Sequence, residues 1–369
     1  MERRLSATSR RSAPSAIQRL SHLAQRVGAV NLAEGFPDFP APPHVKAAAV
    51  AAIAADLNQY RHVQGICDIL ANTMKRDHDL DVDPLTDFVI CCGQSEAFAA
   101  AIFAIIDQGD EVLIFDPAYE TYETSIELAR GVPVYVPLDP PSWTLNEEKF
   151  LKSFTSRTKA LVLNSPHNPT GKVFSKEELL IISQACQKMD CFVITDEVYE
   201  YITYDANKHI SLASLPGMQE RTIITSSLSK TYSVTAASIA SAIRNIHIKL
   251  TDSAPAPFQE AALIALTSTA DYYISLRKDY EVKRDFILLL LKDLGFKISV
   301  KPQGSVFVFA ELPRSCQLSD DFQVGCYRNR PNSAQLKFSY LLAKQPLKTS
   351  FASFSPQQPA SCSGKLGVH

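Results

Sequence analysis

From about residue 44 to residue 245 the chain alternates two hydrophobic periods. Short apolar runs of strand length stand at DFVICCG (87–93), EVLIFD (111–116), VPVYVPL (132–138), KALVLN (159–164), CFVITD (191–196) and TIITSS (222–227). Between them lie longer stretches such as SEAFAAAIFAII (95–106) and SKEELLIISQACQK (175–188), whose apolar residues recur at helical spacing. Strands that are apolar throughout are buried on both faces. The pattern therefore predicts an α/β fold, a mainly parallel sheet sandwiched by helices. Ahead of it, Ile17, Leu20, Leu23 and Ala24 keep one helical face and predict a first helix that runs into NLAEGFPDFP. Behind it, residues 272–313 read as a long amphipathic helix followed, after PQG, by a strand, the start of a smaller α+β domain. The expected division is 1–43 for the N-terminal helix and the segment after it, 44–250 for the large domain, 251–321 for an incomplete small domain, and 322–369 for a tail.

That tail has its own composition. Residues 322–369 hold no Asp or Glu but carry Arg328, Arg330, Lys337, Lys344, Lys348 and Lys365, and end in FASFSPQQPASCSGKLGVH, which predicts a disordered basic segment. The chain as a whole is ordinary: 369 residues with a net charge of -2, 46% hydrophobic and 21% charged, an amount of apolar residue able to build a sizeable core and no basic excess of the kind that binds nucleic acid. No apolar run approaches the roughly 18 residues needed to cross a bilayer. Its eight cysteines form no CxxC pair, so neither a cysteine zinc site nor a disulfide framework is expected, and a reducing compartment fits. The first twenty residues are rich in Arg and Ser with Glu2 the only acid, a composition shared with transit peptides. A cytoplasmic location is expected, with plastid or mitochondrion as the alternative.

In parallel α/β sheets, ligands sit beyond the carboxyl ends of the strands. The turns that follow the predicted strands are GQSEA (93–97), DPAYETY (116–122), NSPHNPTG (164–171), DEVYE (196–200) and SSLSK (226–230), five loops on one edge. Singly, each has an ordinary explanation: Lys230 as a solvated lysine, Asp196-Glu197 as a turn, HNPTG as a turn sequence, Tyr119 and Tyr122 as packing residues, Cys91 and Cys92 as inert strand residues. In this order, and together with NLAEGFPDF and NQYRHVQG, the set resembles the class I aminotransferases of fold type I, in the branch of the kynurenine, glutamine and methionine transaminases. The resemblance covers roughly residues 15 to 310.

The resemblance implies pyridoxal phosphate as cofactor, and a job for each matched residue. Lys230 is the lysine that tethers the cofactor and shuttles the proton. Asp196 pairs with the ring nitrogen and keeps it protonated, while Tyr199 and Asn168 donate to the ring's phenolic oxygen. Tyr119 stacks on the ring. The phosphate takes the amides of Gln94 and Ser95 at a helix N-terminus and the Ser227 hydroxyl. Tyr60 reaches the phosphate of the neighbouring subunit, which implies a homodimer, and Gly35 belongs to the segment that closes over the substrate. No metal is implied.

Two departures stand out. The family continues from its lysine to Gly-Trp-Arg, with the phosphate-binding arginine eight positions on. Here that position is Ser238, and the text passes from TYSVT (231–235) directly to AASIASAIRNIHIKL. The Gly-Trp-Arg block and the strand after it, roughly ten residues by family comparison, are expected to be missing, in keeping with Trp143 as the only tryptophan. Arg244 lies about 9 Å further along a helix and is no replacement. A bidentate arginine supplies two charge-assisted bonds of about 1.5 to 3 kcal/mol each, so its loss would weaken cofactor binding by roughly one to four decades. The second departure is the resemblance ending near Asp321, before the arginine that clamps the substrate carboxylate. The expected activity is transfer of an amino group between an L-amino acid and a 2-oxo acid in two half-reactions, impaired by both losses. The alternatives are a catalytically inactive product of an aminotransferase gene, or a lyase acting on cysteine conjugates through the same residues.

Overall fold

The computed structural model describes residues 15–29, 31, 34–59, 64–234, 238–239, 246–247, 251, 253–311, 313 and 337–341. Tyr60 and Arg244 lie outside them, as do Arg328 and Arg330. Helix α1 (Ala16–Val27) starts at Ser15, whose Oγ accepts from the Gln18 amide, and ends at Gly28 in a left-handed conformation, a polar cap and a glycine stop of the usual kind. Helices α2 (Pro43–Ala54) and α3 (Gln64–His78) follow, then β1 (Ile90–Cys91), α4 (Gln94–Ile105), β2 (Glu111–Asp116), α5 (Glu120–Leu128), β3 (Val132–Asp139), β4 (Thr144–Leu145) and α6 (Glu147–Lys152). The chain continues through β5 (Thr158–Asn164), α7 (Lys176–Lys188), β6 (Phe192–Asp196), β7 (Thr222–Ser227) and α8 (Leu228–Tyr232). Next come β8 (Ser238–Ile239), α9 (Ala256–Leu266), α10 (Ala270–Asp293), β9 (Phe307–Glu311) and β10 (Lys337–Leu341).

Eight strands form one sheet in the order β1-β8-β7-β6-β5-β2-β3-β4. The pairs from β7 through β3 are parallel, and β1, β8 and β4 join antiparallel. The strand period of two divides the core. Leu113, Phe115, Leu161, Leu163 and Val193 pack with Leu179, Ile182 and Ala185 of α7 on one face, while Val112, Ile114, Val162 and Ile194 pack with Ala97, Phe98, Ala101 and Ile102 of α4 on the other. The continuous apolar runs read from the sequence are thus strands covered on both sides. A further cluster joins Leu276, Tyr280 and Leu291 of α10 to Val306, Val308 and Ala310 around β9. Among the described residues no helix is long and apolar enough to cross a membrane.

Three expectations change. DFVICCG yields a strand of only two residues, Ile90–Cys91. The strand after the lysine loop is not wholly lost: Ser238 and Ile239 form a two-residue β8 that pairs antiparallel with both neighbours, Ile239 facing Ile90 and Ser226, Ser238 facing Cys91 and Ser227. The short β1 follows from this, because a strand can be no longer than the ladder its partner offers. The tail, expected to be irregular, contains β10, which pairs antiparallel with β9 from Lys337 opposite Glu311 to Leu341 opposite Phe307.

Candidate active site

Strands β5 and β6 end level with one another, and β7 runs two residues further. Their register sets Asn164 beside Asp196, and Asp196 beside Thr225. Asp196 is buried, and its Oδ2 accepts a 2.5 Å hydrogen bond from Tyr122 Oη, while Oδ1 accepts from the Val198 amide at 3.3 Å. Burial raises its carboxyl to about 6, against the pull of the Tyr122 and Val198 bonds and the nearby Lys230 charge. Asn164 locks the turn from both sides: its Nδ2 donates to the Asp196 carbonyl at 2.8 Å and its Oδ1 accepts from the Asn168 amide at 2.6 Å. Tyr122 and Asn164 are site residues that the motif reading passed over. The signal was present in Tyr122, a helical residue three positions after Tyr119, and in Asn164 as the last residue of its strand.

Lys230 sits on the short helix α8 that Ser227 caps: Ser227 Oγ accepts from the Ser229 amide at 3.0 Å and lies 2.5 Å from Ser229 Oγ. The lysine Nζ donates to the Gly35 carbonyl, so the segment from the N-terminal region and the lysine loop meet. Burial lowers the Lys230 pKa, with the charges of Asp196 and Glu34 opposing it. Tyr199 is buried and its phenol is pushed well above its ordinary value, first by burial and then by the Asp196 charge. Tyr119, half-buried, stands edge-on to Tyr122 with ring centroids 5.6 Å apart.

Across the sheet edge, α4 begins at Gly93, with φ of 96° and no side-chain cap over the first-turn amides of Gln94 and Ser95. A Cβ on Gly93 would meet nothing within 4 Å, so the space in front of this helix start is open. Gln94 is buried and its Nε2 reaches Thr225 Oγ1 at 3.5 Å. Glu96 turns back to accept from the Cys92 amide, from Thr251 Oγ1 and from His247 Nδ1 at 2.7 Å. Ser238 occupies the place eight residues after the lysine, in β8.

The structure therefore gathers Lys230, Asp196, Tyr199, Tyr119 and Gly35 around one sheet edge, with Asn168 on the loop after β5, Gln94 and Ser95 in the first turn of α4 and Ser227 at the end of β7 beside them. Tyr60 lies outside the described residues. The loop 164–171 is also clasped from the segment ahead of β9: the amides of Gln303 and Gly304 donate to the Gly171 carbonyl at 2.8 and 2.9 Å.

A family model described as aminotransferase class I and II matches residues 27–358, a span that runs past the point near Asp321 where the motifs give out. Human kynurenine–oxoglutarate transaminase 1 is 35% identical over 322 residues, covering 79% of this chain and 76% of that protein. The kynurenine–oxoglutarate transaminase of Dictyostelium discoideum is 36% identical over 330 residues, covering 81% of this chain and 76% of its own length. The solved structure of N-succinyldiaminopimelate aminotransferase from Mycobacterium tuberculosis superposes with a TM-score of 0.80 at 34% identity, covering 83% of each chain.

Proposed function

From the chain's membership of the class I and II aminotransferases, a family of pyridoxal-phosphate enzymes, we propose that it binds pyridoxal phosphate through Lys230 and transfers an amino group between an L-amino acid and a 2-oxo acid slowly. The observation that carries this reading is the shared edge of Lys230 and Asp196, each close enough to shift the other's proton affinity.

The residues present fit the cofactor. Asp196 is a buried carboxylate held by neutral donors, Tyr122 and the Val198 amide, and a protonated ring nitrogen is the cation that such a group lacks. The open helix start at Gly93, with the Gln94 and Ser95 amides and the Ser227 hydroxyl nearby, suits a phosphate. When bound, pyridoxal phosphate supplies an electron-withdrawing ring that stabilises negative charge on the carbon bearing the amino group. Lys230 Nζ tethers it and, with its pKa lowered by burial, is available as the neutral amine that takes the proton from that carbon. Asp196 would hold the ring nitrogen charged while Tyr122 Oη keeps Asp196 ionised, Tyr199 and Asn168 would donate to the ring's phenolic oxygen, Tyr119 would cover the ring, and Gly35 lies in the segment that would close over the substrate.

The slowness follows from the missing Gly-Trp-Arg block, whose bidentate arginine would give the phosphate two charge-assisted hydrogen bonds. Kynurenine with 2-oxoglutarate, the pair in the names of the two transaminases above, is the natural first substrate trial. A second copy of the chain, bringing Tyr60 to the phosphate, completes the proposed site, and the cytoplasm is its proposed location.

The test is a visible absorbance titration of the purified chain with pyridoxal phosphate, followed by borohydride reduction, beside Lys230→Ala. The expected result is a band that borohydride fixes to the chain only when Lys230 is present, with transamination far below that of intact relatives. Absence of a Lys230-dependent band would refute cofactor binding at this site. A rate equal to that of intact relatives would refute the impairment.

A further inference from the structure

Behind the site described above, on the side of β6 facing α3, a second group of titratable side chains converges. His78 is the last residue of α3, Glu197 directly follows β6, and Glu200 lies one turn further on. One ligand atom from each of the three lies within 4.8 Å of the other two. All are withdrawn from solvent, with side-chain exposures of 9%, 3% and 14%. His78 Nε2 is buried and makes no hydrogen bond. The Glu200 carboxylate oxygen is 3.6 Å away. Glu197 is fixed in place by two donors, His209 Nε2 at 2.7 Å and Ser211 Oγ at 2.9 Å. Glu200 is held only loosely, by Ser226 Oγ at 3.4 Å. The His78 and His209 rings meet edge-on at 6.1 Å.

We propose that His78, Glu197 and Glu200 form a binding site for a divalent transition-metal ion of the zinc type. Two carboxylates buried side by side against two imidazoles carry two negative charges, and a dication offsets both at once. An imidazole with carboxylates suits zinc or its neighbours, whereas magnesium and calcium take oxygen ligands alone. Metal–ligand bonds of about 2.0 to 2.2 Å in tetrahedral geometry set ligand atoms about 3.4 Å apart. The His78–Glu200 separation is already near that value, and Glu200, the least restrained of the three, is the side chain free to close the remainder. His209 and Ser211 bond to the Glu197 carboxylate as an outer shell bonds to a ligand. The fourth position is left to water.

The other candidate cluster, Cys91, Glu96 and His247, differs in the respect that matters. Its carboxylate already accepts from the Cys92 amide, His247 and Thr251, so the imidazole nitrogen that faces it is taken. The ion at His78 would pin the C-terminal end of α3 to the turn after β6. This turn begins one residue beyond Asp196. The inference stands on these residues and does not rest on the aminotransferase reading.

The test is metal content after equilibrium dialysis of the full chain against zinc, beside His78→Gln, Glu200→Gln and His247→Gln, with circular dichroism to confirm folding and Co²⁺ as a spectroscopic probe. The expected result is one ion per chain, visible Co²⁺ bands, and affinity at least about 10- to 100-fold weaker in His78→Gln and Glu200→Gln. The melting temperature of the parent chain should rise by several degrees at a zinc concentration about 100-fold above Kd, and that rise should vanish in His78→Gln. No stoichiometric zinc in the parent chain overturns the proposal. Unchanged binding in folded His78→Gln, or loss only in His247→Gln, also overturns it.

Discussion

At the scale of single residues, the site rests on how a buried carboxylate is kept charged. Asp196 accepts from Tyr122 Oη at 2.5 Å, and a bond to a charged group contributes about 1.5 to 3 kcal/mol. Tyr122→Phe is therefore expected to weaken pyridoxal phosphate binding by roughly 10- to 100-fold, read by absorbance titration, with the fold unchanged by circular dichroism. An unaltered affinity would assign Tyr122 to packing alone. His167 makes a separate prediction. It is buried beside Thr170, its Nδ1 2.8 Å from Thr170 Oγ1, and burial lowers its pKa from 6.5 to about 3. Because the unfolded chain takes up that proton first, stability is lost as pH falls from about 6.5 toward 3. At pH 5 the loss is on the order of 2 kcal/mol. Urea melts of His167→Asn should show a flatter dependence over that range, and an equal slope in both proteins would mean that another group governs it. Lys230 and Asp196 could be picked out by their place in SSLSK and DEVYE. Tyr122 and Asn164 stand in DPAYETY and NSPHNPTG, but their roles come from the approach of α5 and from the sheet register, neither of which a motif records.

At the scale of elements, the loop NSPHNPTG is read from sequence as a turn, but its second function is a clasp. Gly171 has φ of 72°, and a Cβ there would lie 2.7 Å from Pro302 Cβ and 3.2 Å from the Gly304 carbonyl oxygen. Gly171→Ala should cost about 2 to 5 kcal/mol in denaturant unfolding, from left-handed strain and overpacking together. A cost under about 0.5 kcal/mol would show that the small-domain loop yields. The lysine loop makes the complementary case. Its missing arginine was visible as a gap in spacing, whereas the survival of β8 was not, because two residues carry no periodic signal and are recruited by the ladders on either side. Inserting the family's Gly-Trp-Arg block and the strand residues after it between Thr235 and Ala236 should tighten cofactor binding by roughly one to four decades. No gain in the same absorbance titration would mean that the helix start at Gly93 and Ser227 already suffice for the phosphate.

For the whole molecule, β2, β3, β5, β6, β7, α4 and α7 were legible because each carries an apolar stretch with one clear period, and α1, α10 and β9 were legible for the same reason. β10 was not, since its pairing depends on the distant β9. The proposed sharing of Tyr60 predicts that the chain elutes with the mass of a dimer and that mixing Lys230→Ala with Tyr60→Phe gives hybrids in which one site of the two regains the parent cofactor affinity. A monomer by light scattering would remove Tyr60 from the site. Finally, among the described residues β1 joins the eight-stranded sheet only through Ser238 and Ile239, whereas the neighbouring parallel pairs from β7 to β3 run for four to six register positions. The sheet therefore keeps two clocks. Amide deuterium uptake at Ile90, Cys91 and Ser227 should run orders of magnitude faster than at Val193 to Thr195, reporting an edge that opens and recloses many times before the centre of the sheet opens once.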